Sequence, residues 1–274
     1  MDFLHLTEIA LQAAHSAGNI IRQHMDEVVS VEKKAGQSSF AAQVVTVVDK
    51  LCEQAILSHL LPTCKEYDLA LLSEETEDDG SRFKKDFFWC IDPLDGTLPF
   101  ISRTPGFSVS IALVAQDGTP YIGVVYDPSR DIIYHAIKGK GVYKNNLPWV
   151  LTQELDVLTY VTDRKLKDTP YATEIEQWLY DKANELGLHE VHEIAGAGSV
   201  LNAILVLENS PACMLKLPKK ESGGGSVWDY AATACMFQEF NLPATNYEGG
   251  KLDLNREGDA FMNHQGIFFS SMPK

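Results

Sequence analysis

Three groups of carboxylates stand out by type and spacing: Ser73-Glu74-Glu75, Asp92-Pro93-Leu94-Asp95-Gly96-Thr97 and Trp228-Asp229. Two aspartates three residues apart, with a proline fixing the backbone between them, can converge on one point, and the Leu94 carbonyl then offers a further oxygen. Such donors suit a hard cation such as Mg²⁺, which takes oxygen ligands in near-octahedral geometry. Gly96 permits a tight turn, and Thr97 can open a helix with Pro99 in its first turn, so that amides face an anion. The plain alternative is a polar turn, since Asp-Gly and Pro are common turn residues. Glu74 and Glu75 close an apolar run. They serve either as metal ligand and base with an orienting partner, or as a solvated strand end joining the acidic loop Glu77-Asp78-Asp79. Asp229 precedes an apolar helix body and is an N-cap or a ligand held by a rigid helix end. Asp49, after Thr46, is likewise an N-cap or a catalytic carboxylate.

These residues need elements to hold them. Leu6, Ile9, Ala10, Ala13, Ala14, Ile20, Ile21 and Met25 recur at helical spacing and predict an amphipathic helix over 6–28, softened at Gly18. The polar stretch 29–43 reads as a mobile connection. A second helix is expected to begin after Asp49 and to stop before Pro62. Runs 69–72 and 87–91 read as buried strands that deliver Glu74 and Asp92 at their C-terminal ends. Stretches 107–115, 121–126 and 132–136 alternate with turn signals and predict an antiparallel meander. The second half predicts helices over 171–186, 199–208 and 229–240 and strands over 189–194 and 212–217, with strands again at the end. The seam at 145–155 divides an α+β half, 1–147, carrying most of the candidate ligands, from an α/β half, 148–274. The latter carries Asp229 and a lysine- and glycine-rich loop, and the two halves are expected to pack as one unit.

Bulk properties narrow the class. For a chain of 274 residues, a net charge of −15 argues against binding a nucleic-acid polymer through a basic surface, though a bound cation would still admit a small anionic substrate. No apolar run approaches the ~18 residues of a membrane span. The first residues lack a basic segment followed by an apolar one, which argues against a secretory signal. The five cysteines are odd in number and never paired as C-x-x-C, which suits a reducing cytoplasm and argues against a disulfide framework or a zinc site. The eight histidines show no ligand spacing.

Glu-Glu after a strand, Asp-Pro-Leu-Asp-Gly-Thr, a distant Trp-Asp and an upstream Thr-x-x-Asp together resemble the inositol monophosphatase superfamily. That group includes inositol monophosphatases, 3′(2′),5′-bisphosphate nucleotidases and fructose-1,6-bisphosphatases. The resemblance also takes in the first helix, the meander with Gly123-Val124-Val125-Tyr126 and Gly139-Lys140-Gly141, and Gly198-Ser199 before a helix. It implies an α+β fold, a layered αβαβα sandwich, and hydrolysis of a small phosphate monoester with two or three Mg²⁺ ions. Glu74, Asp92, the Leu94 carbonyl, Asp95 and Asp229 would hold the metals. Glu74 and Thr97, the latter oriented by Asp49, would position and activate the attacking water, and the Gly96 and Thr97 amides would hold the phosphate. Inhibition by lithium and a homodimer are further implications.

Substrate choice is less direct. After Asp-Gly-Thr, inositol monophosphatases usually continue Thr-Asn-Phe and the bisphosphate nucleotidases Lys-Glu-Phe, whereas this chain has Leu98-Pro99-Phe100. Leu94 and the compact Gly198-Ser199 element lean toward the nucleotidases. Asn202 departs from them, since a lysine is common there. The segment Lys216 to Ser226 leads into Trp228-Asp229. Ser199, Lys219, Lys220 and Glu221 are therefore candidate substrate contacts, or the segment is an exposed loop with solvated lysines. The expected activity is 3′-phosphoadenosine 5′-phosphate hydrolysis, with inositol monophosphate or another sugar phosphate as the alternative. An inactive homologue acting by binding is the rival from a different class.

Overall fold

A computed structural model describes residues 1–25, 31–33, 44–152 and 156–273. Among the described residues, two large sheets alternate in layers with the longer of six α-helices, and a two-stranded ribbon stands apart. The seven-stranded sheet runs in sequence order: β3 (Ala70–Ser73), β4 (Phe87–Asp95), β5 (Ser108–Ala115), β6 (Pro120–Asp127), β7 (Ile132–Ile137), β8 (Gly141–Lys144) and β9 (Leu147–Pro148). β3 and β4 are parallel, and the remainder is the expected antiparallel meander, longer by two strands.

Strand periodicity builds the layers. Successive side chains point to opposite faces, so Trp89 and Ile91 of β4 pack on α1 (Phe3–His24) and α2 (Val47–Glu66). Phe88 and Cys90 face the other way, into the core shared with α5 (Ser199–Glu208) and α6 (Val227–Glu239). Beyond those helices lies the five-stranded sheet, ordered β11 (Glu190–Ala195), β10 (Val157–Thr162), β12 (Ala212–Lys216), β14 (Ile267–Ser270) and β13 (Ala244–Thr245). Its outer face packs on α4 (Ala172–Glu185). The result is an αβαβα sandwich. A sheet buried on both faces is why 87–91 reads as one continuous apolar run.

Several expectations shift. α1 is unbroken at Gly18, which is buried because a Cβ there would overlap the Tyr126 ring, so this glycine marks a close approach rather than a weak point. α2 begins at Val47, two residues before Asp49, and continues through Pro62 to Glu66. Pro62 is exposed, while Leu60 and Thr63 on either side are buried. The Trp89 indole donates to Thr63 Oγ1 at 2.9 Å, so packing carries the helix past the lost hydrogen bond. Of the stretch read as a mobile connection, 31–33 forms β1 (Val31–Lys33), paired antiparallel with β2 (Val44–Thr46), and the rest lies outside the described residues. β10 was not anticipated, although Val157-Leu158-Thr159-Tyr160-Val161-Thr162 is rich in β-branched and aromatic residues. The chain passes from one sheet to the other between Pro148 and Val157. Among the described residues no helix is long and apolar enough to cross a membrane. All five cysteines are free thiols, four of them buried.

Gly18→Ala is expected to destabilise the protein by about 1–3 kcal/mol despite alanine's better helix propensity, because the tight α1–β6 contact cannot take the methyl. Chemical denaturation of the two proteins measures the difference.

Candidate active site

β3 and β4 are parallel and pair Ser73 with Ile91, so Glu74 and Asp92 emerge side by side at the same sheet edge. The Glu74 amide donates to the Ile91 carbonyl at 3.2 Å. Beneath this edge Glu53 of α2 is buried and accepts from Ser73 Oγ at 2.5 Å and Thr76 Oγ1 at 3.0 Å, which fixes the backbone on both sides of the glutamate pair.

A register shift places the second aspartate. On a regular strand, residues 92 and 95 would point to opposite faces. Here Asp92 pairs with Ser110 and Asp95 with Ser108, so β4 uses one residue more than β5 over this step. The bulge returns Asp95 to the side of Asp92, and Pro93 is tolerated there because a bulge frees it from the ladder. The Leu94 side chain remains in the α1/α2 core, its amide donates to Asp92 Oδ1 at 3.0 Å, and its carbonyl accepts from Thr97 Oγ1 at 3.4 Å. Gly96 then turns the chain with φ +83°, and a Cβ at that point would run into the backbone of Gly106. α3 (Thr97–Ile101) follows as a helix of five residues.

The third carboxylate arrives from the helical layer. α6 starts at Val227, with Ser226 as its N-cap, so Asp229 stands in the first turn rather than at the cap. Its Oδ2 accepts from the Ser226 amide at 2.5 Å, the return half of a capping box. Ser110 Oγ donates to the Trp228 carbonyl at 3.0 Å and ties this turn to the strand position opposite Asp92. Asp49 departs from its expected N-cap role in the same way. It is buried in the first turn of α2, directly after β2, which lies against α3.

One oxygen from each of Asp92, Asp95 and Asp229 lies within 4.8 Å of the others, and all three residues are buried. Glu74 stands just outside this group at the sheet edge. Burial and then the Glu74, Asp95 and Asp229 charges push the Asp92 carboxyl well above the usual carboxylate range. Burial and Asp229 do the same to Asp95, against the Val200 amide and Lys216. Burial raises Asp229, opposed by Lys216, the Ser226 amide and a hydrogen bond with Asp92. Three buried acids with hard oxygens and mutual repulsion fit a divalent cation, which would replace repulsion by attraction.

Asp95 is also held from the second sheet's side. The Ser199 and Val200 amides, the first two of α5, donate to its Oδ1 at 3.1 Å and Oδ2 at 2.9 Å. Gly198 passes so close that any Cβ would overlap that carboxylate. Ser199, expected as a substrate contact, therefore gives its amide to Asp95, and its hydroxyl accepts from Lys216 Nζ at 2.7 Å. Asn202 is fully buried and donates to Asp163 Oδ1 at 2.8 Å. Lys219, Lys220 and Glu221 are exposed on the loop leading to α6. That loop is tethered: the Lys219 amide donates to the Asn263 carbonyl at 2.8 Å and its carbonyl accepts from Asn263 Nδ2 at 3.1 Å.

Sequence reasoning gave no role to Lys216, Asp163 or Glu53. Lys216 had a usable signal, because it closes the apolar run Ala212-Cys213-Met214-Leu215 as Glu74 and Asp92 close theirs. Asp163 and Glu53 had none.

A layered αβαβα sandwich with a carboxylate group at the edge of its larger sheet is the arrangement of a metal-dependent phosphatase. The chain belongs to the inositol monophosphatase family, whose model matches residues 2–269. It is 26% identical to the inositol-1-monophosphatase of Bacillus subtilis over 256 residues, 90% of this chain and 88% of that one. It is 35% identical to the Nus factor SuhB of Escherichia coli over 171 residues, 61% of each chain. The fold matches SaIMPase-II, solved with 2′AMP bound, with a TM-score of 0.70 and 23% identity over 97% of this chain and 90% of that one.

The raised carboxyls fix a sign for pH dependence without metal. The fold penalises ionised Asp92, so the penalty is absent below the ordinary carboxylate range and grows as pH rises through the raised value. In chelator, Asp92→Asn is expected to unfold at a higher temperature than the unaltered protein, by a margin larger at about pH 8 than at about pH 5. Thermal unfolding of both proteins across this range tests it, and a margin that shrinks with pH would contradict the electrostatic account.

Proposed function

We propose that this protein hydrolyses the 3′- or 2′-phosphate of a 3′(2′),5′-bisphosphate nucleotide, such as 3′-phosphoadenosine 5′-phosphate, with Mg²⁺ as cofactor. The observation that carries the reaction is the convergence of Asp92, Asp95 and Asp229 within 4.8 Å beside Glu74. In this reading those four carboxylates and the Leu94 carbonyl hold two or three Mg²⁺ ions. The metal, when bound, supplies the charge neutralisation that phosphoryl transfer requires.

The chain's own groups do the rest. Glu74 takes the proton from the attacking water, and Thr97, whose hydroxyl lies 3.4 Å from the Leu94 carbonyl, orients that water. Asp49, buried in the first turn of α2, orients Thr97. The amides of Gly96 and Thr97 seat the phosphate, with Ser199 at its side. Half-buried Leu98 and Pro99 offer an apolar edge next to this seat, which suits the flat face of a base better than a polyhydroxylated ring. Lys219 and Lys220 contribute cations for a second phosphate, and Glu221 contacts the ribose.

A second reading, inositol monophosphatase, is favoured by the Bacillus subtilis relative, whose alignment spans most of both chains. A panel of 3′-phosphoadenosine 5′-phosphate, inositol 1-phosphate and fructose 1,6-bisphosphate, with Mg²⁺ present and lithium titrated in, separates the two. The expected outcome is a kcat/KM at least about tenfold higher for the nucleotide. Preference for inositol 1-phosphate would establish the second reading instead. Asp95→Asn is expected to lower phosphate release by about 10²-fold or more on every substrate. The double variant Lys219→Ala, Lys220→Ala is expected to raise KM for the nucleotide and to leave that for inositol 1-phosphate unchanged. An unchanged KM for both would remove the lysines from the substrate site.

A further inference from the structure

Lys216, at the end of β12, stands where three supports of the acidic group meet. Its Nζ is 2.8 Å from Asp163 Oδ2, 2.7 Å from Ser199 Oγ and 3.3 Å from the Gly224 carbonyl. These partners belong to the residue after β10, the first turn of α5 and the glycine loop before α6. The Tyr230 ring, one residue beyond Asp229, lies 5.6 Å from the ammonium.

An ammonium has three N–H donors and no acceptor. All three here are committed to protein, and the side chain is 18% exposed. Lys216 therefore has no donor left for a substrate, unlike the exposed Lys219 and Lys220. Its acidic partner is fixed as well, since Asn202 holds the other oxygen of Asp163.

Neutralising Asp163 alone would not call for this position. The same ammonium grips Ser199, whose amide, with that of Val200, holds both oxygens of Asp95. Its third contact is to the loop that delivers Asp229. The cation thus bridges the supports of the two acids that come closest to the second sheet.

We propose that Lys216 is a positioning residue and the resident counter-ion of the acidic group, locking the first turn of α5 onto Asp95 and offsetting the repulsion between Asp95 and Asp229 when no metal is bound. The inference rests on the reading of these carboxylates as a metal centre. Two consequences separate it from an ordinary ion pair. Loss of the charge is felt most in the metal-free protein, where no bound cation shares the neutralisation. In catalysis it lowers kcat and spares KM, because the lysine orients a ligand residue and does not touch substrate.

Thermal unfolding of the full chain in chelator and in saturating Mg²⁺ tests this with Lys216→Met, Lys216→Arg and the double variant Asp163→Asn, Lys216→Met. Lys216→Met is expected to lower Tm by about 5 °C or more in chelator and by less than half as much in Mg²⁺. Lys216→Arg is expected to recover most of the loss. The double variant, which carries no orphaned Asp163 charge, is expected to stay destabilised in chelator. Phosphate release by Lys216→Met should show a lower kcat with KM within about twofold.

Equal losses with and without Mg²⁺, or full recovery in the double variant, would overturn the proposal and leave a plain structural ion pair. Should Lys216→Met fail to fold, Asp163→Asn alone decides: with the cation still facing Asp95 and Asp229, its Tm in chelator should stay within about 2 °C of the unaltered protein, and a larger fall overturns the idea. If Mg²⁺ does not raise the Tm of the unaltered protein, it is the metal-centre reading that fails, and the double variant in chelator still judges Lys216.

Discussion

Bringing Asp92, Asp95 and Asp229 together in a buried place is the most demanding thing this fold does. Like charges at such distances repel strongly in a poorly screened interior; burial pushes all three carboxyls upward, and repulsion within the group adds to it at Asp92 and Asp95. Much of the surrounding structure can be understood as answers to that repulsion. Asp95 receives the first two amides of α5, and Asp229 closes the capping box of α6, so two acids sit at the positive ends of helices. Asp92, which receives the Leu94 amide and no helix N-terminus, carries the largest set of repelling neighbours.

The layers make those answers possible. Asp92 and Asp95 come from the larger sheet and Asp229 from the helical layer between the sheets, so the centre exists only when the layers dock. Buried Arg82 helps to join them: it pairs with Asp78 at 2.7 Å and donates to Asn255 Oδ1 at 2.5 Å and to the Arg256 carbonyl at 2.9 Å. Arg130 repeats the device at the far end with Asp127 at 2.6 Å and Glu208 at 2.8 Å. Arg82 is withdrawn from water beside a partly exposed carboxylate, and Arg130, itself partly exposed, covers the buried Asp127 and the largely enclosed Glu208, so that each enclosed charge has a partner. Removing one partner from either pair would strand the other.

The same geometry divides labour among the lysines. Lys216 is enclosed and fully engaged by protein, whereas Lys219 and Lys220 are exposed on the loop that runs into α6. An enclosed cation stabilises the supports of the acids, while an exposed one remains available to an incoming anion. A net charge of −15 works against a phosphate ester at long range, so local cations matter to any anion that approaches.

The sequence by itself singled out the acidic residues and most strands of the larger sheet. Carboxylates closing apolar runs, and a proline and glycine at fixed offsets around two aspartates, are local features that survive without coordinates, as is the alternation from β5 through β7. Helix limits at Val47 and Pro62, and the role of Gly18, were decided by tertiary contacts, because packing of Thr63 on Trp89 and of α1 on Tyr126 outweighs local propensity. The bulge that turns Asp95 to the side of Asp92 depends on pairing with β5, which no spacing within β4 reveals. Above all, only the folded chain brings Lys216, Asp163 and Ser199 together from three separate elements. Long-range electrostatic complementarity leaves no periodic trace in a sequence, since it depends on which ends of strands and helices meet.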